Sequence, residues 1–291
     1  MGETNTNNNL GVLFNTDRLD HNGFIDYALQ IEALGFESLW LPELFTRDPF
    51  ASAGFLLART SHLKLATGIA NIYGRDPVAT VTASAALQEL SQGRFMLGLG
   101  VSNRSLNKAR GHSWQAPVTK LRSYLEAMAE VKMTSPKPRF ETHVAAHGPK
   151  MLACAAEHAD GANTYLMPTE HASRAAAALG SEKELNTMLF CQLETNPEAA
   201  RQTARKALAY YTGLDYYHRA WRDLGFNDDD FTDGGSDKLI DAIVAWGDID
   251  QINERINNQF DAGATRVVVI PIGANQGGAP DWELLATLCK S

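Results

Sequence analysis

Cysteine is scarce in this chain: Cys154, Cys191 and Cys289 are all there are in 291 residues, widely spaced and odd in number, with no Cys-x-x-Cys pair. That excludes a disulfide framework and fits a reducing compartment. Long hydrophobic runs are lacking as well, and no apolar stretch reaches the roughly 20 residues that span a bilayer. The first nine residues, Met1–Asn9, are polar and Asn-rich, without the apolar centre of a signal peptide, and read as a tail. Basic runs are missing too. Against 34 acidic residues there are 26 lysines and arginines, spread so that nothing can neutralise a phosphate backbone. No zinc-ligand spacing, GxSxG elbow or Walker loop occurs, so metal hydrolysis, acyl transfer and nucleotide hydrolysis lose their usual signs. The expectation is a cytoplasmic protein with a small-molecule substrate, no nucleic acid, no membrane and no metal.

What is present is a rhythm. Short apolar or β-branched runs recur at Leu10–Phe14, Glu37–Leu41, Leu63–Ala70, Arg94–Leu99, Glu141–Ala146, Gly161–Leu166, Thr187–Leu193 and Arg266–Ile272, with amphipathic stretches between them. In Asn22–Leu34 the residues Phe24, Tyr27, Ala28, Ile31 and Leu34 fall three or four apart, and Gly35 follows as a helix stop. Asp248 and Gln251 make a capping-box pair before the stripe Ile252, Ile256 and Phe260. Eight strands alternating with helices predict one α/β domain over residues 10–291, a (β/α)8 TIM barrel. Two places depart from the rhythm: the Pro-containing connector Thr134–Phe140, and a helical insertion, Pro197–Ser236, before the last strand. The acid run Asp228–Asp230 lacks the alternating ligands of a calcium loop and reads as a solvated turn. An open dinucleotide-binding sheet is the competing fold, but Gly98-Leu-Gly100 is followed by Asn103 where the third glycine belongs.

In a barrel of this kind the active site lies at the C-terminal ends of the strands. Those ends read Asn15-Thr16, Pro42-Glu43, Gly68-Ile69-Ala70-Asn71, Gly100-Val101-Ser102-Asn103, Ala146-His147-Gly148-Pro149 and Tyr165. Glycine there lets backbone approach a flat ring or a phosphate. Gly148-Pro149-Lys150-Met151 opens a helix with proline at its first position, so its free N–H groups suit a phosphate; Gly100-Val101-Ser102 can serve likewise, and either can equally be a tight βα turn. His147 at a strand end and His112 in a loop are each open to two readings, a proton donor or a hydrogen-bonded loop histidine. Phe50–Leu57, with Phe50, Phe55, Leu56 and Leu57, offers apolar surface for a homodimer.

Three segments together carry a resemblance: Thr67–Pro77 (TGIANIYGRDP), Leu90–Gly100 (LSQGRFMLGLG) and Ala145–Met151 (AAHGPKM), followed by Ala159-Asp-Gly161. In this order the chain resembles the luciferase-like monooxygenase superfamily, most closely the branch using coenzyme F420 and a subgroup of compact oxidoreductases within it. The resemblance implies a non-prolyl cis peptide after the third strand, matching Gly68-Ile69, which backs the cofactor ring. It also implies that Ala70, Asn71, Gly100-Val101-Ser102 and Gly148–Met151 hold ring and phosphate. Relatives place an acid followed by His at the second strand end, where this chain has Glu43 then Leu44. The sugar-phosphate dehydrogenases place a Glu near Asn103. Glu43, Asn103 and His147 are therefore the candidate catalytic residues. The implied function is hydride transfer between coenzyme F420 and a small organic substrate. The alternatives are an FMN-dependent monooxygenase of the same fold and a flavin-binding barrel without catalysis.

Overall fold

The computed structural model describes residues 9–136, 138–273 and 280–290, so only Asn9 of the expected tail is among them. Ten strands run parallel: β1 (Leu10–Leu13), β2 (Ser38–Leu41), β3 (Lys64–Thr67), β4 (Ala70–Asn71), β5 (Phe95–Gly100), β6 (Glu141–Ala145), β7 (Gly161–Tyr165), β8 (Glu184–Leu193), β9 (Val244–Gly247) and β10 (Arg266–Pro271). Eight of them, all but β4 and β9, pair in chain order, and β10 pairs with both β8 and β1, which closes the barrel.

The helices among the described residues are α1 (His21–Leu34), α2 (Pro49–Leu57), α3 (Pro77–Leu90), α4 (Arg104–Ala109), α5 (Pro117–Ala129), α6 (Pro149–His158), α7 (Thr169–Leu179), α8 (Pro197–Thr212), α9 (Asp215–Arg222), α10 (Asp237–Ile243), α11 (Ile249–Asp261) and α12 (Trp282–Leu288). None is long and apolar enough to cross a membrane. Five of them start on proline, which lacks the N–H that a helix start would leave unbonded. Asp20 caps α1 by accepting from the Gly23 N–H at 2.8 Å, and Gly35 ends it in the left-handed region. The expected capping box of Asp248 and Gln251 opens α11.

Strand alternation sorts the core into two parts. Val12, Leu39, Leu65, Leu97, Val144, Val267 and Val269 face the helices. Leu13, Trp40, Ala66, Met96, Met188 and Val268 fill the barrel, and their cluster continues into Leu208, Tyr217 and Trp221 of the insertion and Leu239 of α10. The insertion thus packs on the barrel interior rather than standing apart from it. Within it, Asp230 is buried, accepting from the Asn227 N–H and the Ser236 hydroxyl, so the acid run caps a 3₁₀ turn instead of being merely solvated.

Three departures from the expected strands have physical causes. Leu63–Ala70 is two strands, because pairing with β5 stops at Ala66–Met96 and resumes at Ala70–Leu99, which leaves one extra residue on the β3 side. The Gly68-Ile69 peptide in this bulge is cis. The Thr67 hydroxyl repairs the gap, donating to the Gly98 carbonyl at 2.7 Å and accepting from the Gly98 N–H at 2.9 Å. β8 begins three residues before the expected Thr187 and extends beyond its neighbour β7. β7 pairs with it as far as Met188, and β9 takes over the same edge from Phe190 to Leu193. The sequence shows no sign of β9 because Val244 is at once the C-cap of α10 and the first strand residue, with no turn between.

A Cβ on Gly98 would lie 1.9 Å from the Thr67 carbonyl oxygen. Gly98→Ala is therefore expected to abolish soluble expression or lower the urea midpoint severely. Thr67→Val, which unpairs the Gly98 groups while keeping the shape, should cost about 1–3 kcal/mol in the same unfolding experiment.

Candidate active site

The bulge delivers Ile69 to the barrel mouth. Its side chain lies against β5 and β6: a Cβ on Gly100 would be 3.0 Å from both Ile69 Cγ1 and Cδ1 and 3.2 Å from Ala145 Cβ. Small residues on two strands thus leave room for one apolar side chain to floor the mouth. Gly68 and Ile69 are both half-buried, as a surface awaiting a planar partner requires.

A polar brace holds the bulge from outside. Glu43 accepts from Arg110 Nη1 at 2.5 Å and from the Asn71 N–H at 2.8 Å, so both of its oxygens are engaged. Asn71, itself buried, donates to Asn107 Oδ1 at 2.8 Å, and Asn107 donates to the carbonyls of Val101 and Asn103 at 2.7 and 3.1 Å. Ala70 pairs with Leu99 inside this frame. Asn103 is the N-cap of α4, accepting from Leu106 N–H and the Ser105 hydroxyl, and donates to the Tyr210 hydroxyl at 3.0 Å. Ser102, just before it, sits in the left-handed region and turns the chain sharply.

On the loop after β6 Gly148 is the N-cap of α6 with no side-chain cap, and Pro149 is the first helical residue. The Met151 N–H bonds back to Gly148, while Pro149 and Lys150 are exposed. A Cβ on Gly148 would meet nothing within 4 Å, so the glycine borders open space. An open space beside a bare helix N-terminus, two strands along from an apolar floor, fits a planar cofactor carrying an anionic group.

His147 lies between these features. Its Nε2 accepts from the Tyr165 N–H at 3.1 Å, its carbonyl accepts from His171 Nε2 at 2.8 Å, and its ring lies parallel to Tyr216 and beside Tyr217. Burial, and then the nearby His171, depress its pKa to about 3. It is a neutral acceptor whose Nε2 lone pair is already used. His112 packs at the edge of the Tyr73 ring, away from this cluster.

The insertion supplies side chains that the sequence did not single out. Tyr211 of α8 meets Tyr165 with ring centroids 5.2 Å apart, and Tyr165 also contacts Phe190 inside the barrel. Burial pushes both hydroxyls above the ordinary tyrosine range. Tyr210, Tyr216 and Tyr217 continue the cluster. Two adjacent pairs of tyrosines on helices, Tyr210-Tyr211 and Tyr216-Tyr217, carry no mark in the sequence that separates them from core packing.

With a closed parallel barrel, a bulge after the third barrel strand and a bare helix N-terminus at the mouth, the class is that of a barrel enzyme binding a flat, anionic cofactor. The chain belongs to the luciferase-like monooxygenase family, whose model matches residues 10–266. It is similar to a 5,10-methylenetetrahydromethanopterin reductase of Methanolobus tindarius, 27% identical over 297 residues covering 86% of this chain and 90% of the relative. In fold it is similar to the coenzyme F420-dependent tetrahydromethanopterin reductase of Methanopyrus kandleri, with a TM-score of 0.75, 19% identity and 97% of each chain covered. It is also similar to the oxygenating constituent of 3,6-diketocamphane monooxygenase of Pseudomonas putida, solved with FMN, with a TM-score of 0.63, 16% identity and 97% and 95% covered.

The depressed pKa of His147 has a consequence for stability. The folded protein holds this ring neutral while the unfolded chain protonates it below about pH 6.5, so the stability is complete above that value. It declines as the pH falls towards about 3. His147→Gln, which keeps an acceptor for the Tyr165 N–H, is expected to flatten the fall of melting temperature measured between pH 6.5 and 4. An unchanged slope would remove His147 as its source.

Proposed function

We propose that this chain is a coenzyme F420-dependent oxidoreductase that moves a hydride between the deazaflavin and a small organic substrate, in the cytoplasm. The observation that carries the reading is the Ile69 floor together with the uncapped α6 start at Gly148, at the ends of barrel strands that only β5 separates. The names of its relatives point the same way. FMN-dependent oxygenation is the second reading, favoured by the fold shared with an FMN-bound monooxygenase.

When bound, the deazaflavin supplies a ring carbon able to take or give a hydride. The chain's own part is to bind and orient. The Lys150 N–H and the α6 dipole hold the phosphate, and Lys150 adds a positive side chain at that end. Ile69 sets the height of the ring, and Gly100 with Ala145 keeps that space clear. Glu43 acts by position, fixing Asn71 and therefore the bulge, since both its oxygens are occupied. Asn103 ties the β5 loop to Tyr210 and so to the insertion. His147, neutral and already accepting, orients Tyr165 and moves no proton. The proton is held at the Tyr165 hydroxyl, which burial pushes above the ordinary tyrosine range.

Fluorescence titration with F420 and separately with FMN tests the reading. The parent is expected to bind F420 the more tightly. Gly148→Asp should weaken that binding at least tenfold, about 1.4 kcal/mol, because it sets a carboxylate beside the phosphate. It should leave the melting temperature unchanged, since nothing crowds that position. A parent that binds neither compound overturns the assignment, and one that binds F420 yet reduces no acceptor leaves a carrier protein in its place.

The expected homodimer now rests on a different surface. Phe50, Leu56 and Leu57 are buried within the chain itself, whereas Val78 and Leu90 of α3 are 56% and 81% exposed. Light scattering is expected to give twice the monomer mass, and Leu90→Glu to return it to the monomer value.

A further inference from the structure

Inside the barrel, the charge at the end remote from the mouth is paired. Arg266 of β10 donates to Glu37 at 2.6 and 3.2 Å, to Glu184 at 3.1 Å and to Asn186 at 2.7 Å. At the mouth end the strand that carries Glu184 and Asn186 finishes differently, with Gln192 next to its last residue.

Along β8, Leu189 and Cys191 face the helices while Met188 and Phe190 face the barrel interior. Alternation therefore turns Gln192 inward, about 6–7 Å nearer the mouth than Phe190. Its residue is only 3% exposed, and its Oε1 has no hydrogen-bond partner. The side chain beside it in register belongs to Trp246 of β9, whose indole N–H is already given to Asp241 at 2.9 Å. Phe190, one level below, meets the Tyr165 ring edge-on at 5.5 Å. An amide buried without a partner is destabilising, and nothing in the chain's own packing relieves it.

The position of β8 in the barrel gives that amide a direction. Round the closed sheet β3 and β8 stand four places apart both by way of β6 and by way of β1, so they form opposite walls. The bulge that delivers Ile69 follows β3, and a substrate meets a cofactor on the Ile69 floor between these two walls. Gln192 thus borders the substrate from the side away from the ring. The interior side chains around this space, Leu13, Trp40, Tyr165, Phe190 and Ile270, are uncharged. Arg110 is held by Glu43, and Arg201 of α8 by Asp237 and Asp241.

We propose that Gln192 is a specificity-determining residue that receives an amide or lactam group of a planar, uncharged substrate; the inference rests on reading this mouth as the site of hydride transfer. A primary amide offers one acceptor and two donors without charge, and another amide answers both. A carboxylate or phosphate would be buried here without a cation to meet it. The rings of Tyr165, Phe190 and Tyr211 favour a flat molecule, as an apolar pocket with a single convergent polar group does.

Benzamide and benzoate are the probes, titrated by calorimetry into the full chain with and without saturating F420. The parent is expected to bind benzamide at least tenfold more tightly than benzoate at pH 7. Gln192→Met keeps the length of the side chain and removes the amide. It should lose about tenfold in benzamide affinity, hold F420 as before, and melt, without ligand, about 2 °C higher than the parent because the unpartnered group is gone. Equal binding of the two probes by the parent overturns the proposal, and so does undiminished benzamide binding by Gln192→Met. A lower melting temperature in Gln192→Met also overturns it, making the glutamine a packing residue. Failure of the parent to bind F420 is a separate result that defeats the cofactor assignment, since the preference for benzamide is read in the unliganded chain as well.

Discussion

The close approach of the Thr67 carbonyl to Gly98 is the constraint on which the mouth of this barrel depends. One extra residue on the third barrel strand has to go somewhere, and it can bulge inward only if the neighbouring strand offers no side chain there. Once the ladder is broken, the Thr67 hydroxyl satisfies the stranded Gly98 N–H and carbonyl, and Ile69 is carried over Gly100 and Ala145. The brace through Glu43, Arg110, Asn71 and Asn107 then has a reason. A segment removed from the sheet loses its ladder partners, and its remaining backbone groups need side chains in their stead. The acidic residue at the second strand end is thereby bound up in architecture.

Tyr210 and Tyr211 arrive through the insertion, and the insertion is held by β8. Because β8 runs past the end of β7, its upper edge would be unpaired; β9 covers it, and the helices before β9 are brought over the barrel interior. Trp221 seals the joint, donating to the Leu166 carbonyl at 2.8 Å where β7 ends. Tyr210 and Tyr211, adjacent on α8, then face different partners, Asn103 across the mouth and Tyr165 within it.

Much of this was legible from residues alone. Runs such as Val267–Ile270 and the stripe through Phe24, Tyr27 and Ile31 announce strand and helix by period, and Pro149 after Gly148 announces a helix start. The bulge was visible only through resemblance, since Gly68-Ile69 has nothing in its own chemistry that distinguishes it from continuing strand. β9 was hidden because a helix and a strand share a boundary residue there. The roles of Glu43 and His147 escaped for another reason: whether a titratable side chain is free or already bonded depends on partners such as Arg110 and Tyr165, 67 and 18 residues away.

The link between Glu37 and Arg266 joins residues 229 positions apart, and β10 alone pairs with both β1 and β8. During synthesis, then, seven barrel strands are made before the eighth exists to unite them. Until Arg266 and its strand emerge, the nascent chain is an open parallel sheet with two unsatisfied borders, the form most prone to wrong association. A stop upstream of β10 therefore removes both contacts that close the barrel, with β1 and with β8, and costs more than the few residues lost would suggest.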